Sequence, residues 1–157
     1  MRQLPLINLV SMAHLVVLCL WGGVVATESV LELYPYRRKV LHEHSIRYHF
    51  WIDLLVELPL ILVVLATGVT LAALAWPLSG KHVLMILCAL IAVTANLVCI
   101  ALVIRRKLVL DRGVPEPELW HATRNIVMCA VVGMPFAAGA ATLGFWLAYH
   151  RLSNLLS

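Results

Sequence analysis

Residues 42–59 read HEHSIRYHFWIDLLVELP and run without a break into residues 60–76, LILVVLATGVTLAALAW. The second part has the length and composition of a helix that crosses a bilayer, which takes about 20 apolar residues. The first part sets three histidines and three carboxylates at its threshold. That juxtaposition decides the fold class and raises the functional question together.

The rest of the chain repeats the apolar pattern. Of 157 residues, 62% are hydrophobic and only 13% charged, with a mean hydropathy of +0.94. Soluble domains are about half apolar and a quarter charged, so lipid is the solvent for most of this surface. Spans at about 4–27, 51–76, 82–104 and 124–149 are each long enough to cross. Bare backbone finds no partners in lipid, so these spans are expected to be α-helical. The first run is longer than the core of a cleaved secretory signal, although VVATE resembles a cleavage site, and it reads as a retained helix.

The predicted fold is an all-α integral membrane protein, a single up-down four-helix bundle over residues 1–157. The PLSGK link between spans 2 and 3 makes them antiparallel neighbours. Pro35 is expected to end the first helix. In the third link, Gly113, Pro115 and Pro117 act as breakers, with Pro117 opening the last helix.

Charge sets the orientation. The two ends and the 2–3 link hold Arg2, Lys81 and Arg151, whereas the 1–2 and 3–4 links hold the other nine basic residues. The positive-inside rule places both termini on the non-cytoplasmic side, in a membrane of the bacterial inner-membrane type. The basic pI of about 9.1 therefore reflects topology, with no nucleic-acid partner implied. All eight carboxylates fall on the same side as those nine basic residues, along with His42, His44, His49 and His121. One end of the bundle is nearly inert and the other is crowded with ligand-type side chains.

On a helix, His42, His49, Asp53 and Glu57 share a stripe, through steps of 7, 4 and 4. A lone carboxylate at membrane depth is costly, so the stripe needs partners. Glu28 and Glu32 close the first span, one turn apart. Glu118 and His121 open the last, with the Glu-x-x-His spacing of ferritin-like di-metal bundles. The predicted metal set is Glu28, Glu32, His49, Asp53, Glu57, Glu118 and His121, with Arg124 and Asn125 orienting ligands or offsetting charge. Such donors suit iron, manganese or zinc. The plainer alternative is an interfacial salt-bridge lattice.

His14 stands near the middle of the first span, on one face with Trp21 and Glu28. Thr67, Thr70, Thr94 and Asn96 are candidate hydrogen-bond partners for it. The His14-x6-Trp21-x-Gly23 pattern resembles the first helix of the copper-resistance D-type membrane proteins. It is also similar to that of the small four-helix membrane protoporphyrinogen oxidases, which bind haem b. The resemblance implies a haem or copper ligand at His14. A haem b protein exchanging electrons with quinone, through His14 or a His49/His121 pair, is therefore a rival reading.

A ridge of Gly133, Ala137 and Ala141 in the last span permits close helix contact, within the chain, in a homo-oligomer or in a larger complex. On that basis a non-catalytic accessory subunit is a third reading. Cys19, Cys88, Cys99 and Cys129 lie in apolar spans without a CxxC pair and read as small core residues. No phosphate loop, nucleophile elbow or dinucleotide fingerprint occurs.

Overall fold

The structure is a computed structural model that describes residues 3–38, 43–113 and 115–156, with the side chains of residues 3–6, 35 and 150–156 outside that description. His42, the first member of the predicted stripe, lies outside the described residues. The described residues form four helices: α1 (Gln3–Arg38), α2 (Glu43–Leu74), α3 (Gly80–Asp111) and α4 (Glu116–Leu156). Each is long and apolar enough to cross a membrane. Large apolar side chains are exposed along the helices, Leu62 at 60% and Val69 at 68% among them. In water such a surface would aggregate; in lipid it is solvated.

The helix ends follow from local chemistry. Gly113, at φ 65°, supplies the left-handed conformation that closes α3, and its N–H donates to the Leu110 carbonyl at 3.0 Å. Pro115 follows, and Pro117 stands in the first turn of α4, where its missing N–H costs nothing. Pro35 does not end α1, which continues to Arg38.

α1 and α2 pair antiparallel, through His14 with Thr67, Trp21 with Glu57 and Glu32 with His49. α3 and α4 do the same, through Cys99 Sγ to the Ile126 carbonyl and Cys129 Sγ to the Ala95 carbonyl. The second pair is tight: a Cβ on Gly133 would stand 2.9 Å from that of Ala95. The Gly133 end of the small-residue ridge is thus spent inside the chain. The two hairpins meet along a core of Trp21, Ile61, Val64, Val93 and Ile100. At one end this core gives way to buried charge.

Candidate metal centre

The site begins with an irregularity in α2. Residues Asp53–Glu57 form a π-helical turn, in which the Leu58 N–H donates to the Asp53 carbonyl, five residues back. The cause is Pro59. It has no N–H to offer the Leu55 carbonyl, and its ring would collide with that carbonyl in a regular α-turn. Widening the turn removes the collision and recovers one bond. Single π-turns inside α-helices often mark functional sites. Here the turn starts and ends on the two carboxylates of the stripe. Both are buried, Asp53 at 1% exposure and Glu57 at 2%, with His49 at 3%.

Around His49 the side chains form a relay. Arg106 of α3 grips Glu32 of α1 with two prongs, Nη1 to Oε2 at 2.7 Å and Nη2 to Oε1 at 2.5 Å, and also donates to Thr123 Oγ1 of α4 at 3.2 Å. Glu32 Oε1 in turn accepts from His49 Nδ1 at 2.5 Å. Arg106 Nη2 also lies 3.2 Å from Nδ1, but a nitrogen whose hydrogen points at Glu32 has no lone pair left for it. The ring is thereby oriented with its other nitrogen, Nε2, facing Asp53 Oδ1 at 3.2 Å.

That last contact needs a positive particle. An Nε2 lone pair opposed to a carboxylate oxygen is repulsive unless a proton or a cation lies between them. Asp53 Oδ1 and Glu28 Oε1 are both buried without a hydrogen-bond partner. One donor atom each from Glu28, His49 and Asp53 lies within 4.8 Å of the others. Metal–ligand bonds of about 2.0–2.2 Å put ligand atoms about 3.4 Å apart around one ion, so a small inward shift of these side chains suffices. A histidine that gives one ring N–H to a carboxylate and turns the other nitrogen inward is the common arrangement for a metal-bound imidazole. Donor chemistry and orphaned oxygens both fit a divalent ion.

Glu57 occupies a neighbouring position. Its Oε1 accepts from Trp21 Nε1 at 3.1 Å and from Asn96 Nδ2 at 2.8 Å. Among the described residues the buried set thus contains four carboxyl groups, Glu28, Glu32, Asp53 and Glu57, with one guanidinium and the His49 imidazole.

The α4 residues lie elsewhere. Glu118, His121, Arg124 and Asn125 are exposed, and Glu118, His121 and Asn125 line an outer groove with Leu102, Arg105 and Val109 of α3. The face of α4 turned inward is the buried series Leu119, Thr123 and Ile126. His121 is two residues from both Leu119 and Thr123, about 200° around the helix. The Glu-x-x-His pair therefore points away from the α2 stripe. Thr123, Arg106 and Asn96 stand where those residues were expected.

The three haem-candidate histidines do not share a space. His14 Nδ1 is 2.7 Å from Thr67 Oγ1, whose own hydrogen goes to backbone carbonyls of α2, so the ring donates and bridges the two helices. Thr67 is 18 residues along α2 from His49, a rise of about 27 Å. His121 is on the outer face. Among the described residues the cysteines are free thiols.

The chain matches no family model, no curated protein and no solved structure.

Proposed function

We propose that this membrane protein binds a divalent cation of the iron, manganese or zinc class, held by Glu28, His49 and Asp53 inside one end of its helical bundle. The observation that carries this reading is the orphaned pair of oxygens, Glu28 Oε1 and Asp53 Oδ1, in a group with an imidazole whose Nε2 lies 3.2 Å from Asp53 Oδ1, the donor atoms of the three residues all falling within 4.8 Å of one another. Charge supports it as well. Among the described residues four buried carboxyl groups stand with one buried guanidinium and the His49 ring, so a divalent ion can take the place of protons that those carboxyl groups would otherwise hold. Glu32 and Arg106 orient the imidazole, and Glu57, tied to Trp21 and Asn96, stands ready as a further oxygen donor. Such an ion supplies Lewis acidity or, if iron or manganese, a redox centre. The chain's own part is to hold the donors in a dry site and to balance their charge.

The distribution of Lys and Arg supports an orientation with both termini outside and the site at the cytoplasmic end, in a membrane of the bacterial inner-membrane type. Metal handling at that face is the function in this reading.

The test is the metal content and visible spectrum of protein purified in detergent without chelator, beside the His49→Ala and Asp53→Asn variants. Stoichiometric metal that both variants lose, with their helical content kept, is the expected result. A Soret band moves the argument to haem and His14. A protein with neither metal nor haem leaves these residues as a buried hydrogen-bonded lattice and ends the proposal.

A further inference from the structure

A second feature lies on the outer seam between α3 and α4, away from the buried site. It has two parts in register. An open apolar groove of ≈ 650 Å³ runs along Leu87, Ile91 and Val98 of α3 and Met128 and Val132 of α4. One turn farther along the same seam, Leu102 and Asn125 begin a smaller groove of ≈ 160 Å³ that also holds Arg105, His121 and Glu118. Among the described residues, none of these four polar side chains makes a hydrogen bond or ion pair.

The order of groups along the seam carries the inference. Because α3 and α4 are antiparallel, the polar groove reads outward from the apolar one as Asn125 beside Leu102, then Arg105 with His121, then Glu118 beside Val109. That is an amide donor, a guanidinium with an imidazole beside it, and a carboxylate, at the end of an acyl-sized apolar trough. We propose that the α3/α4 seam binds a phospholipid whose headgroup ends in a primary ammonium, of the phosphatidylethanolamine class. Its acyl chain lies along Leu87–Val98, its ester carbonyl accepts from Asn125, its phosphate meets Arg105, and its ammonium donates to Glu118. Arg105 supplies the fork of donors that suits phosphate oxygens. A primary ammonium offers Glu118 three N–H donors, which a quaternary choline lacks. A partner's transmembrane helix would have to bring its own acid and base in this order, whereas this headgroup already carries both.

The experiment is native mass spectrometry of the full chain in detergent, offered phosphatidylethanolamine, phosphatidylcholine and phosphatidylglycerol with identical chains. Phosphatidylethanolamine should be retained about three- to fivefold over the other two, the size expected of an interfacial ion pair. Glu118→Gln should remove that advantage, while Arg105→Gln and Val98→Trp should weaken all three lipids, each variant keeping its thermal unfolding midpoint. Equal retention of the three lipids, or an unchanged preference in Glu118→Gln, overturns the proposal. So does displacement by soluble phosphoethanolamine at equal concentration, which would reduce the site to a headgroup pocket. A stoichiometric co-purifying protein that Val98→Trp releases would assign the seam to a partner and overturn it too. Metal content, set by other residues, reports separately.

Discussion

Arg106 and Glu32 meet fork to fork inside the bundle, with both side chains buried and the same carboxylate reaching on to His49. A guanidinium removed from water at this depth is stable only while its partner is present. The pair therefore both holds α1 against α3 and fixes the direction of the His49 ring. Structure and proposed chemistry share one contact.

Removing one member should be worse than removing both. Arg106→Met removes the only guanidinium facing the buried Glu32 carboxylate and leaves it just the His49 N–H, which should cost up to about 3–5 kcal/mol. The Arg106→Met, Glu32→Leu double variant should recover part of that loss, because neither charge remains to be solvated. Thermal unfolding in one detergent, across the four members of the cycle, measures it. Additive losses would mean that the two residues act independently and that the fork is not the structural link.

The proposed ligands and the orienting carboxylate should separate by degree. His49→Ala should empty the site, whereas Glu32→Gln, which keeps the shape but weakens the grip on Nδ1, should lower affinity about 10- to 100-fold. Glu118→Gln and His121→Ala, on the outer groove, should leave metal content as in the parent. Competition with a metal-sensitive dye reads all four. If His121→Ala also released the metal, α4 would have to turn its other face inward, against the burial of Leu119, Thr123 and Ile126.

The α3/α4 contact offers a test of packing alone. A methyl at position 133 would stand 2.9 Å from the Ala95 Cβ, and neither carbon sits on a flexible stem that could swing aside. Gly133→Ala should cost about 1–3 kcal/mol as overpacking, and Ala95→Gly in the same chain should restore much of it. No rescue would show that the helices separate elsewhere to make room.

These contacts also explain what was legible beforehand. Four apolar spans need only composition, and the buried polar stripe of α2 needs only its steps of four, because burial of charge at membrane depth forces partners. The α1 partners were readable for the same reason: His14, Trp21 and Glu28 repeat by sevens, and Glu32 is one turn on. Arg106 was obscured by its neighbours, since Arg105, Arg106 and Lys107 read together as orientation charge. The series Ala92, Asn96, Cys99, Val103, Arg106, in alternating steps of four and three, was the signal that singles it out. For α4, spacing told which residues share a face but not which face turns inward. Glu118 and His121 lost that position to Leu119 and Thr123, whose stripe runs on into Ile126.

The π-turn was the least legible feature, because it is a departure from the period on which such reading depends. Its sign is Pro59, four residues after Leu55 and two after Glu57. Pro59→Ala restores an N–H that can reach the Leu55 carbonyl and removes the ring that opposed it. The segment Asp53–Glu57 should then close into regular α-helix, turning Asp53 relative to His49 and Glu57 relative to Trp21 and Asn96. The expected outcome is unusual for a core substitution: an unfolding midpoint that holds or rises, together with lost or much weakened metal binding. Circular dichroism, thermal unfolding and metal content of the same preparation decide it. Full metal retention in a stable Pro59→Ala protein would show that the widened turn merely accommodates the proline. Loss of metal with the fold intact would show that it sets the donors.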